Sequence, residues 1–67
     1  MSKSFEIIER VGISTESSSD AIKAAVLEAH GEQKVGWFEV LEERGRVTQN
    51  GEVEFQVTLK IGRKLED

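Results

Sequence analysis

The chain contains no cysteine, which excludes disulfides, thiolate metal sites and thiol catalysis together. It has one histidine, His30, and a lone imidazole cannot build a histidine-based metal cluster. Basic residues are in the minority, 9 against 13 acidic, and the net charge of −4 disfavours a nucleic-acid backbone or an anionic membrane as the main partner. No run approaches the roughly 20 apolar residues that a membrane span requires. Met1-Ser2-Lys3-Ser4 leads straight into a strand-like run without the apolar core of a signal peptide, so a cytoplasmic protein is expected. Also missing are a glycine-rich phosphate loop, a metal-ligand spacing and a nucleophile–base pair. No enzyme chemistry is expected, because a buried cleft needs more chain than this.

What is present is one short domain, residues 1–67. A chain of this length buries only about 60% of the surface its unfolded form exposes. With disulfides excluded, self-association is the natural supplement to so small a core.

Residues 3–11 read as a first strand, rich in β-branched side chains and ended by Gly12. Phe5, Ile7 and Val11 share one face of it, with Glu9 interrupting and Ile8 pointing the other way. Ser17 followed by Asp20 resembles a capping box and opens a helix. Ile22, Ala25, Val26 and Ala29 supply its amphipathic stripe, and Gly31 offers a left-handed stop after about three turns. The small stripe allows the helix to lie close against a sheet.

Asn50-Gly51 is a strong hairpin signal, fitting a two-residue type I′ turn. Beyond it Val53, Phe55, Val57, Leu59 and Ile61 alternate with Glu54, Gln56, Thr58 and Lys60, which is a strand with one buried face. Residues 35–47 form its partner. The expected fold is α+β, in the order β-α-β-β: a three-stranded antiparallel sheet with one helix packed on one face.

A two-residue turn pairs Val40 with Ile61, Phe38 with Arg63, Trp37 with Lys64 and Gly45 with Gln56. Trp37, Leu41 and Gln56 then lie on the face that the helix leaves bare, with the apolar pair on an otherwise polar surface. Trp37 and Gln56 are eight residue steps apart, roughly 26 Å. They cannot touch one small ligand within a single chain, so any shared site lies between subunits.

Trp37 suits either a stacking platform for a flat ligand or an interface anchor. Gln56 offers an amide to a heterocycle edge, against the plainer role of a solvated strand residue. Arg44 and Arg46 fit phosphate or, more commonly, ion pairs with Glu42 and Glu43. Glu39, Glu42 and Glu43 form a solvated acidic edge or attract a divalent cation, and His30 suits the negative end of the helix dipole.

Gly36-Trp37-Phe38-Glu39-Val40, then Arg44-Gly45, then Phe55-Gln56-Val57-Thr58-Leu59-Lys60-Ile61-Gly62 and Leu65-Glu66 together resemble the dodecin family. Val11-Gly12-Ile13-Ser14 and Asp20-Ala21-Ile22 match as well, so the resemblance spans nearly the whole chain. It implies a flavin-binding storage and photoprotective protein that assembles as a hollow homododecamer. The ligand (riboflavin, FMN or FAD) is implied to stack on Trp37 between subunits, with Gln56 on its polar edge and Arg44 and Lys64 toward phosphate. The alternative is a structural shell binding coenzyme A or divalent cations. Arg63 departs from the family's usual aromatic after Gly62, the 29–35 segment is one residue short, and the arginine-rich helix end is missing.

Overall fold

The computed structural model describes residues 4–65. Strand β1 (Phe5–Ser14) is followed by helix α1 (Ser18–Glu32), strand β2 (Val35–Val47) and strand β3 (Val53–Lys64). The strands form one antiparallel sheet in the order β1-β3-β2. The expected start of the first strand at Lys3 lies outside the described residues.

Ser17 caps the helix as its spacing predicts, its hydroxyl accepting from the Asp20 N–H at 2.9 Å. The Asp20 carboxylate does not complete the box. It accepts instead from the Ser14 hydroxyl at 2.8 Å, and Ser14 Oγ accepts from the Glu16 N–H at 2.9 Å. The end of β1 and the start of α1 are thereby tied together.

Two glycines behave differently from the sequence reading. Gly31 does not stop the helix, which runs on to Glu32 and closes at an extended Gln33 whose N–H bonds the Ala29 carbonyl. Gly12 does not end β1 but sits buried within it. A side chain there would strike the Ala21 backbone, with an added Cβ 2.8 Å from its carbonyl carbon and 3.1 Å from Ala25 Cβ. The helix backbone rests on the strand at this point.

That close approach selects the innermost helix residues. Ala21, Ala25 and Ala29, one turn apart, are buried against Val57, Leu59 and Ile61 of the central strand. Ile22 and Val26 flank this contact and are partly buried. The helix covers β1 and β3 and leaves β2 at the rim, where Phe38, Val40, Leu41 and Val47 are all exposed. The radius of gyration, 13.8 Å, exceeds the roughly 11 Å of a compact chain this long, because the β2–β3 hairpin projects past the end of β1. No helix among the described residues is long and apolar enough to cross a membrane.

Arg63 is absorbed into the fold. It pairs across strands with Glu6 at 2.5 Å and reaches Glu32 of the helix at 3.2 Å, while Arg10 meets Glu32 at 2.7 Å and Glu28 at 3.4 Å. An ionic cluster thus joins β1, β3 and the helix end. The hydrogen bond from Arg10, reinforced by its charge, holds the Glu32 carboxyl below its ordinary 4.5. A carboxyl lowered in the folded state stabilises above its unfolded pKa, and that contribution is lost as pH falls through the folded value. The urea midpoint therefore drops on acidification below about pH 4.5, and Arg10→Ala flattens that part of the profile. At high salt the two curves converge, since these groups are exposed to screening.

Candidate functional site

The hairpin turn has three residues rather than two. Thr48 N–H bonds the Glu52 carbonyl at 2.8 Å, and Gly51 N–H bonds the Thr48 carbonyl at 2.9 Å. Only Gly51 has positive φ, at 82°, so the loop is a turn closed by a left-handed glycine and not type I′. Val47 accordingly faces Val53, and Arg44 faces Gln56. A bulge at Leu41 then restores the expected parity, so that Phe38 faces Ile61 and Val40 faces Leu59 on the helix side. The same register carries on to set Trp37 opposite Gly62, and a second bulge at Gly36 shifts only Val35, which faces Arg63. None of the pairs expected from a two-residue turn occurs, yet Trp37 keeps its expected face.

On that bare face the indole lies flat across Gly62. An added Cβ at Gly62 would come within 2.6 Å of Trp37 Cζ2 and nearer still to Cε2 and Nε1. Gly36 makes similar room for the Phe5 ring, with an added Cβ 2.9 Å from Phe5 Cε1. Trp37 remains 40% exposed, so its outer face is free to stack. Lys64, opposite Phe5, stands two residues beyond Gly62 on the same face. Gly62→Ala should push the indole off the sheet. As Trp37 is the only tryptophan, a red shift of intrinsic emission would report that displacement, whereas an unchanged spectrum would contradict the flat seating.

The second cluster lies toward the hairpin tip. Gln56 is flanked by Ile13 on β1 and Arg44 on β2. Its Nε2 donates to Glu54 Oε1 at 3.0 Å, and Arg46 Nε donates to the same oxygen at 2.9 Å. These two hydrogen bonds, Arg46 first, lower the Glu54 carboxyl below its ordinary value. Arg44 makes no ion pair among the described residues. The four expected binding residues therefore fall into two pairs: Trp37 with Lys64, and Gln56 with Arg44. Six residue steps separate Gly62 from Gln56, about 20 Å rather than 26 Å. One subunit still cannot bring both ends to one small ligand.

The family model described as Dodecin matches residues 5–66. The chain belongs to the dodecin family. A curated dodecin from Thermus thermophilus is 40% identical over 68 residues, covering 100% of this chain and 99% of its own. A crystal structure from that organism superposes with a TM-score of 0.86 at 39% identity, covering 98% of each chain. Dodecin from Streptomyces davaonensis gives 0.88 at 29% identity over 100% of both chains. A calcium dodecin from Mycobacterium tuberculosis, with a TM-score of 0.83 at 22% identity over 92% of this chain and 90% of its own, shares the fold. Dodecins are small binding and storage proteins, and the β-α-β-β fold of this chain is theirs.

Against that dodecin frame, several sequence expectations change. The bare face is not otherwise polar: Phe5, Ile7, Val11 and Ile13 of β1 point to it and are 44–59% exposed. Their period of two was visible, but nothing local said which face the helix would take. Arg46 pairs with Glu54, not with Glu42 or Glu43. Glu39 faces Lys60 and Glu42 faces Thr58 on the bare side, while Glu43 faces Val57 toward the helix. The three carboxylates are thus divided, and no cluster of three or more metal-ligating side chains occurs among the described residues. His30 lies in the last helical turn, where its Nδ1 accepts from the Val35 N–H at 3.0 Å and ties the helix end to β2. Glu54 and Arg46 are the polar residues that sequence reasoning did not connect to Gln56. Their i, i+2 and cross-strand relation is a usable signal once the register is known.

Proposed function

We propose that this chain is a flavin-binding storage and sequestration protein that shields its ligand from light-driven chemistry. In this reading it is a single dodecin-like domain of residues 1–67, cytoplasmic and without a catalytic step of its own. The ligand stacks between Trp37 residues of neighbouring subunits in a homododecamer, the assembly that the family name denotes. Gln56 of another subunit meets the polar edge of the ring. Lys64 near the indole, and Arg44 beside Gln56, stand where a phosphorylated side chain of FMN or FAD would pass.

The carrying observation is the seating of Trp37: an indole laid flat on Gly62, away from the helix, with its outer face open. Such a surface is costly to leave in water and matches a flat aromatic guest. An electron-rich indole in contact with an isoalloxazine ring quenches its excited state, and burial between subunits limits escape of reactive products. Large apolar side chains exposed on both faces of β2, including Trp37, Phe38 and Val40, call for further subunits.

Titration with riboflavin, read by flavin fluorescence and paired with a native mass measurement, tests the reading. The expected result is strong quenching that denaturation reverses, on a twelve-subunit particle. A large particle that leaves added flavin fully fluorescent would reject it.

A further inference from the structure

The Gln56 amide is not free to choose its orientation. An ionised carboxylate can only accept hydrogen bonds, so the side of Gln56 that faces Glu54 must be its nitrogen. This resolves the usual ambiguity between amide oxygen and nitrogen by chemistry. Glu54 is itself held, because Arg46 Nε donates to the same oxygen at 2.9 Å from the cross-strand position, and the Glu54 side chain is only 17% exposed. One Nε2 hydrogen is thereby used. Gln56 Oε1 accepts nothing among the described residues, so what remains for a ligand is one acceptor and one N–H.

We infer that Glu54, anchored by Arg46, is a positioning residue that sets ligand selectivity by locking Gln56 into an acceptor-plus-donor pose that selects a cyclic imide edge. An imide presents a ring N–H beside a carbonyl oxygen, which complements that pose group for group. A ring edge carrying only acceptors leaves Oε1 without a donor. The inference rests on the proposed binding of a flavin, whose pyrimidine ring carries such an imide, and it adds two residues whose role is to orient rather than to touch. Arg46 also lowers the Glu54 carboxyl further below its ordinary value, and in the neutral range that carboxylate is an acceptor only.

The test compares riboflavin with its N3-methyl analogue, which keeps the stacking surface and removes the imide N–H. Wild-type protein should prefer riboflavin by roughly five- to tenfold, the usual scale for one partly exposed hydrogen bond. Glu54→Gln permits the Gln56 amide to turn, and should reduce that preference to below about twofold while the analogue binds as before. Arg46→Met, at an exposed position, should reduce it in the same direction and guards against a folding defect at Glu54. A full preference in both variants, or an equal loss of affinity for both ligands, overturns the positioning role. Equal binding of the two flavins by the wild type also overturns it, leaving the flavin reading intact. Failure of the wild type to bind either flavin overturns both.

Discussion

Trp37→Ala is expected to lower flavin affinity by more than tenfold while the assembly keeps its mass. Stacking of a heterocycle on an aromatic side chain contributes about 1–3 kcal/mol per ring, and a ligand sandwiched between two subunits loses two such layers at once. Trp37→Phe should fall between, since phenylalanine retains an apolar face of smaller area. Fluorescence-quenching titration of the three proteins gives the affinities, and native mass gives the particle size. The pairing of measurements separates two roles that the residue type alone leaves open. If Trp37 were chiefly an interface anchor, truncation would shift the mass toward smaller species. A variant that retains wild-type affinity would end the stacking role.

Gly12→Val should strongly destabilise the fold on the helix side of the sheet. Valine is favoured in strands, so propensity alone would reward the substitution. The structure predicts the opposite, because the added carbons must enter space held by the Ala21 backbone and the Ala25 methyl group. Overpacking costs about 1–3 kcal/mol where side chains can move aside, and more where a helix backbone must lift. A chain this short has roughly 3–10 kcal/mol in total, so much of the population should unfold or fail to assemble. Urea midpoints at fixed protomer concentration are the measurement, because assembly contributes to apparent stability. Gly31→Ala is the control: an added Cβ there meets nothing within 4 Å and the residue is helical, so the midpoint should rise slightly. A tolerated Gly12→Val would show that the helix sits farther from β1 than described.

The locally encoded parts of the fold were legible. The unbroken alternation from Val53 to Ile61 identified both a strand and its buried face, and Val57, Leu59 and Ile61 are indeed inaccessible. The Ser17 cap and the small-residue helix stripe were equally readable, as each depends on contacts within a turn or two. Trp37 was assigned to the correct face although the register behind that assignment was wrong. The longer turn shifted the ladder by one residue and the Leu41 bulge shifted it again, so two parity changes cancelled at Trp37. They did not cancel between Glu42 and Val47, which is why Arg44 came to stand beside Gln56 on the bare face.

The sequence by itself determined the number and type of elements, the absence of thiol chemistry, the family resemblance, and a tryptophan and a glutamine too far apart for one subunit to unite. Only the tertiary structure decided which face of β1 the helix would cover, where the two bulges fall, and that Arg46 and Glu54 orient Gln56. The physical reason is the range of the interactions. Periodicity and caps are settled by neighbours along the chain, whereas strand parity flips with every inserted residue and is settled by which pairing lets Ala21, Ala25 and Ala29 reach Gly12 and the central strand.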